Sequence, residues 1–153
     1  MKVSDRLQNL GIVLPNPVRA LGAYAPAVRS GAHVYVSGQL PVQDSVLLYA
    51  GRVGLEVSLE EAQKAAALCF INALGALAGL DLPVDAISRV VRLTGYVCAA
   101  EGFTALADVL NGASELSLQI FGDAGVHARS AVGAYALPKG AAVELEAIFQ
   151  IRV

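Results

Sequence analysis

The stretch VELEAIFQIRV, residues 143–153, alternates with a period of two. Val143, Leu145, Ala147, Phe149, Ile151 and Val153 are apolar, and Glu144, Glu146, Ile148, Gln150 and Arg152 stand between them. Successive side chains on a strand point to opposite faces. A strand with this pattern buries one face and sends both glutamates to the other, so the chain must supply a layer to cover the apolar side. Residues 58–80 offer that layer. Ser58 and Glu61 have the spacing of a capping box, which starts a helix. The run that follows, AAALCFINALGALAGL at 65–80, is almost wholly apolar. A membrane span needs about 20 such residues. This run is shorter, carries Asn72 and is rich in Ala, so it is expected to be a buried helix of a soluble protein. Its small residues would let it lie close to a sheet.

The remaining segments read as strands and helices in alternation. RLQNL, 6–10, starts a short helix, and the two prolines of LPNP break it. HVYVSGQL, 33–40, is a strand by its alternation and β-branching, with 21–29 as its hairpin partner. Residues 51–54 are a candidate short strand. A helix is expected over about 59–78 and a Val- and Ile-rich strand over 86–99. Residues 102–121 are helical, with Asn111-Gly112 a possible break and Gly122 a C-cap. Two strands close the chain, at about 128–136 and 142–152. The expected class is α+β, one mixed sheet with two main helices on one face. Residues 1–153 form one domain, with 1–17 as an N-terminal extension.

Composition removes several functions. The chain of 153 residues is about one domain long. Its apolar fraction of 56% exceeds the usual ~45–50%. That is more than one core needs, which points to a buried subunit interface. With a net charge of −2 and no basic cluster, the footprint of a DNA or RNA binder is missing. Cys69 and Cys98 form no C-x-x-C, so neither zinc, redox site nor cofactor is expected. Two buried free thiols suit a reducing cytoplasm, and MKVSDRLQNLG lacks the apolar core of a signal peptide.

One segment conflicts with its surroundings. In HARSAVGAYALPKGAAVELEAIF, 127–149, an arginine sits among small apolar residues and two glutamates follow. Arg129, Ala131, Gly133 and Tyr135 share a strand face. A hairpin about Pro138–Lys139 would set Arg129 opposite about residue 148, away from Glu144. Ala131, Gly133 and Ile148 are poor choices for a solvated surface, so a partner subunit is expected to cover that face. The alternative is an ordinary solvated face with ordinary charges.

HARSAVGAYALPKGAAVELEAI resembles the C-terminal signature of the YjgF/RidA family, roughly ARSAVGVA-LP-x-x-x-x-VEVEAIA. LGAYAPAV at 21–28 is similar to its GPYSPAV segment, and YVSGQLPV at 35–42 to its SGQIPV. The resemblance spans residues 21–152 and points to the longer branch, labelled endoribonuclease-like or translation-inhibitor-like. It implies a chorismate-mutase-like fold, homotrimers packed sheet to sheet, and clefts between subunits. It also implies hydrolysis of reactive 2-imino or enamine acids to 2-oxo acids and ammonia. Position by position, Arg129 matches the residue that holds the substrate carboxylate, a role a planar fork suits. Glu144 matches the glutamate that orients or activates water. Tyr24 and Asn111 match cleft-lining residues, and Gly38 a glycine where backbone approaches ligand. Ala131 stands where many members carry Cys, so a thiol-dependent step cannot operate here, whereas water steered by Glu144 could. Glu146 is expected in a salt bridge, His127 in a turn or as a second cleft base, and His33 at the surface. A small-carboxylate-binding or regulatory protein and an endoribonuclease remain the alternatives, and the acidic balance argues against the second.

Overall fold

The alternating C-terminal stretch is a strand, and it lies in the middle of the sheet. The computed structural model describes residues 1–16 and 22–153. In chain order the elements are α1 (Val3–Asn9), β1 (Ala27–Ser30), β2 (His33–Gln39), β3 (Val42–Gln43), β4 (Val46–Leu47), α2 (Leu59–Gly75), β5 (Ile87–Cys98), α3 (Leu106–Phe121), β6 (Ala128–Ala134) and β7 (Val143–Ile151). Five strands form the main sheet in the order β1-β2-β7-β5-β6, and β3 and β4 form a separate two-stranded ribbon. Only β5 and β6 run parallel, joined by the α3 crossover; the other pairs are antiparallel. The class is therefore α+β, with one main mixed sheet and two long helices.

The core lies between that sheet and the two helices. Val143, Leu145, Ala147, Phe149 and Ile151 are all buried on the helix side. Phe70 of α2 meets Phe149 at 6.2 Å and Phe121 of α3 at 6.5 Å between ring centroids. The capping box at the head of α2 is formed: Ser58 Oγ accepts from the Glu61 amide, and Glu61 accepts from the Ser58 amide. The apolar run beyond it is long enough to span a membrane by length and composition, with half of it buried against this core.

Several expectations change. Residues 51–54 are not a strand; Val53 makes isolated bridges to Val57 and Ala99. Asn111-Gly112 does not break α3. A Cβ on Gly112 would run into the backbone carbonyl of Gln63 on α2, so this glycine is where the two helices touch. Gly122 does cap α3, at φ 60°. The hairpin partner of β2 begins at Ala27; Leu21, where it was expected to begin, lies outside the described residues. Within the N-terminal segment Leu7 is buried, and Ile12 and Leu14 pack against the core cluster. Asp85 accepts from the backbone and hydroxyl of Ser4, which anchors the first turn of α1.

The largest correction concerns β6 and β7, which are not a hairpin. Strand β5 lies between them. After β6 the chain turns at Pro138–Gly140 and bonds to the 49–51 segment. Gly51 donates to the Gly140 carbonyl at 2.9 Å, and Ala142 donates to the Tyr49 carbonyl at 3.0 Å. Those bonds carry the chain past β5 and return it on the far side. Arg129 therefore has Leu93 beside it, with Ala147 one strand beyond, and not residue 148.

Candidate functional site

Register decides which side each charged residue faces. Leu93 and Ala147 are buried beneath the helices, so Arg129, in line with them, points to the helix side. Ala131 packs on the core from that side, and a Cβ on Gly133 would meet Leu106 of α3 at 3.8 Å. The expectation that Ala131 and Gly133 share the face of Ile148 is thus overturned. They are small because α3 lies over them. Glu144 and Glu146 do occupy the open face, in line with Tyr96 and Thr94.

The site residues named from the sequence fall into two groups. At the β6 edge, Arg129 Nη1 donates to Asn111 Oδ1 at 2.8 Å and to Ser114 Oγ at 3.1 Å. Both protons of Nη1 are spent on α3, which fixes the guanidinium plane. Among the described residues nothing bonds to Nε or Nη2, the edge that can hold a carboxylate with two parallel bonds. Ala131 follows two residues along the strand. His127 joins this group through Ser114, its Nε2 lying 2.9 Å from Ser114 Oγ, and its Nδ1 lies 2.6 Å from the Gly125 carbonyl. It sits in the irregular link directly before β6, against Ser114.

The second group lies on the open face. Strand β2 bulges between Val36 and Gln39, which brings Gly38 over Glu144. A Cβ there would occupy the space of the Glu144 carboxylate, so only glycine allows the contact. Burial of Glu144 raises its pKa, and the nearby Glu146 carboxylate raises it further. Glu146 accepts from the Tyr96 hydroxyl at 3.1 Å and is in no salt bridge among the described residues. Tyr24 is 56% exposed. The chain just after it is tied to the residue before Gly38 by Ser37, whose Oγ donates to the Ala25 carbonyl and whose amide donates to that of Pro26. Tyr24 therefore borders the second group, without a hydrogen bond to it among the described residues.

Within one chain the two groups lie on opposite faces and β5 separates their strands, so strand spacings alone put them about 10 Å apart. A single small ligand cannot touch both in one copy. Ser114 and Arg92 were not foreseen. Ser114 lies three residues from Asn111, hence on the same side of α3. Arg92, Thr94 and Tyr96 alternate with buried Leu93, Gly95 and Val97, which marks them as open-face residues. Arg92 donates to Ser130 Oγ at 2.8 Å and, with Tyr35, Thr94, Glu146 and Ile148, lines a shallow cavity of about 200 Å³.

A family profile described as "YjgF/chorismate_mutase-like, putative endoribonuclease" matches residues 4–149. The chain belongs to this YjgF family. It is 38% identical over 151 residues to Protein TCP17 of Trypanosoma cruzi, covering 98% of this chain and 94% of that protein. It is 30% identical to the RutC family protein y4sK of Sinorhizobium fredii over 132 residues, 86% of this chain and 90% of the relative. The crystal structure of the protein Atu1372 from Agrobacterium tumefaciens, of unknown function, superposes with a TM-score of 0.89 at 40% identity, covering 99% of this chain and 94% of that one. The YjgF match begins inside α1, which agrees with the burial of Leu7.

Proposed function

We propose that this YjgF-family chain hydrolyses 2-imino or enamine acids to 2-oxo acids and ammonia, in a cleft assembled between copies of a homotrimer. One observation carries this: Arg129 is held by one nitrogen while the edge that fits a carboxylate is left without a partner among the described residues. The two groups face opposite ways, so a second copy must bring its Gly38–Glu144 side to the β6 edge of the first. Tyr35, Val132 and Ile148, set among the charges of the open face, suit a surface that another copy covers.

In this scheme Arg129 binds the substrate carboxylate and Gly38 leaves room for the ligand beside Glu144. On the protonated imine, Glu144 takes a proton from water as the water oxygen bonds to carbon and the C=N π pair moves to nitrogen, giving a carbinolamine. Glu144 returns that proton to nitrogen, then the C–N bond breaks, ammonia leaves and the hydroxyl gives its proton back to Glu144 as the C=O forms. Raising the Glu144 pKa toward neutrality favours a group that must first accept and then return a proton. Ala131 excludes a thiol step at that position. It also favours a second reading, a carboxylate-binding protein without turnover. The endoribonuclease label of the family finds no support in a chain of net charge −2.

The test adds the purified protein to a dehydratase that releases 2-aminoacrylate and follows ammonia and pyruvate. Faster release is expected. Glu144→Gln should lower turnover by about 10²–10⁴-fold with pyruvate affinity little changed. Arg129→Ala should weaken pyruvate binding by about 1.5–3 kcal/mol. Unaccelerated release with intact pyruvate binding would establish the binding protein instead. Light scattering that gave a monomer would remove the shared cleft.

A further inference from the structure

Asn72 interrupts the apolar run of α2. Its side chain is half-buried, and its Nδ2 donates to the Leu40 and Val42 carbonyls, both at 2.9 Å. Each of the two amide protons has its own carbonyl, which a serine or threonine hydroxyl, with one proton, could not match. The segment held in this way continues β2. After Gln39 pairs with Leu145 the chain leaves the sheet, and the Val42 amide donates to the Leu40 carbonyl at 2.8 Å in a tight turn around Pro41. Leu48 donates to the Pro41 carbonyl at 2.8 Å as the ribbon of β3 and β4 returns. Among the described residues Asn72 is the side chain that ties this turn to the helix layer.

The same stripe of α2 touches β7. Cys69, three residues before Asn72 and so on the same side of the helix, has its Sγ 3.7 Å from the carbonyl of Val143, the residue before Glu144. Helix α2 therefore holds both partners of the Gly38–Glu144 contact: the strand that carries the carboxylate and the segment that closes over it. Gly38 lies between Ser37, tied to Ala25 and Pro26, and Leu40, tied to Asn72. We infer that Asn72 is a positioning residue for Glu144, holding the backbone of 38–42 against the carboxylate so that Glu144 works out of bulk water. This rests on Glu144 acting as the base proposed above. Asn72 acts through Leu40 and Val42 and touches no reacting atom.

The charges around Glu144 make this hold separable from an electrostatic effect. Glu146 lies two residues along β7, Tyr96 stands beside Glu144 on β5, and Arg92 is four residues before Tyr96. On β2 the open face carries Tyr35 and, farther from Glu144, His33. Cys69 of α2 lies across the sheet. Residues 38–42, GQLPV, carry no titratable side chain, and Asn72 is neutral. Exchanging Asn72 for another neutral residue thus changes no charge. Burial is the main cause that raises the Glu144 pKa, so a fall on that exchange reports water reaching the carboxylate.

Carbon-13 NMR titration of the carboxyl groups in the full chain tests this. Glu144 should titrate above the ordinary carboxylate range in the wild type, and Asn72→Ala and Asn72→Leu should bring it down toward that range. Gly112→Ala strains α2 at its contact with α3, not at 40–42, and should leave Glu144 where it was. In the dehydratase assay both Asn72 variants should lower turnover about 10²-fold, the effect of a misplaced group. Pyruvate affinity should change little, because Arg129 lies on the other face. In a Gly38→Ala chain, Asn72→Ala should add little to the loss, since the two changes break one contact. Lost turnover with the Glu144 titration unmoved, an equal fall in Gly112→Ala, or a failure of both Asn72 variants to fold would make Asn72 purely structural and overturn the inference. If the wild type does not accelerate release yet Glu144 follows Asn72 as described, the hydrolase reading fails and the hold on Glu144 stands. If wild type and Asn72 variants accelerate release alike, with Glu144 unmoved, this inference fails and the hydrolase reading stands.

Discussion

The two faces of the central sheet solve different problems with the same strand. On β7, Phe149 is fully buried against Phe70 of α2, while Ile148, one residue away, looks out on the open face. The helix side is closed by contacts that leave no slack. Leu110 of α3 sits where a Cβ of Gly95 would be, and the Gln63 carbonyl sits where one of Gly112 would be. The open side is loosely polar: Tyr96 donates to Glu146, Arg92 bonds to Ser130, and Gly38 leaves space for a carboxylate that can move. The covered face fixes the shape of the domain. The open one keeps groups whose energy depends on what comes to meet them.

The sharpest test of that contrast compares neighbours. Phe149→Ala should cost about 3–5 kcal/mol in urea denaturation, whatever the protein concentration. Ile148→Ala should cost much less in the folded subunit and act mainly on assembly, so its effect should vary with concentration. Equal, concentration-independent losses would break the comparison.

A second pair adds a methyl group to each face. Gly112→Ala drives a Cβ into the Gln63 carbonyl, which belongs to a helix backbone and cannot step aside, so a loss of about 1–3 kcal/mol is expected. In Gly38→Ala the Cβ meets only the end of the Glu144 side chain, which can rotate away. Stability should fall by less than about 1 kcal/mol, while turnover should fall as it does in Glu144→Gln. A Gly38→Ala protein that unfolds more readily than Gly112→Ala would place the tight packing on the wrong face.

The smallest effect is a sign. Burial and Glu146 raise the Glu144 pKa in the folded chain. A raised carboxylate pKa means the fold holds the proton more tightly than the unfolded chain. The charged form therefore destabilises the fold, and the penalty fades as pH falls through the folded pKa toward the ordinary carboxylate range. Glu144→Gln should accordingly melt at a slightly higher temperature than the wild type near neutral pH, with the gap closing on acidification. A gap that widens in acid would mean that Glu144 is held by a hydrogen bond in its charged form.

Much of this was legible in the sequence. The alternation of β7 gave the side of each glutamate, and Ser58 with Glu61 marked the start of α2. Both signals are local. Strand order is not, because it depends on residues 140–142 bonding to 49–51, about 90 positions away. Parity along β6 shows that Arg129, Ala131 and Gly133 share a face but not which one. Small residues on a strand fit an interface with another copy or a helix lying close above, and here the helix is the cause. Asn111 and Arg129 were singled out separately, and their pairing becomes visible only once the α3 crossover sets them side by side.

The central place of β7 has a consequence for the order in which the fold can be made. Strands β1 and β2 form one pair and β5 and β6 another, and only β7 joins them. Until residues 143–151 leave the ribosome, the sheet exists at best as two ribbons, each with an open edge and an uncovered apolar side. Residues 58–80, almost wholly apolar from 65 onward, are synthesised well before the strand that covers them is available. Folding must therefore close long-range contacts late, which is slow and leaves sticky surface exposed. A chain stopped before residue 143 should be a client for chaperones and proteases, and a short deletion within β7 should be far more damaging than one of equal length in β1 at the sheet's edge.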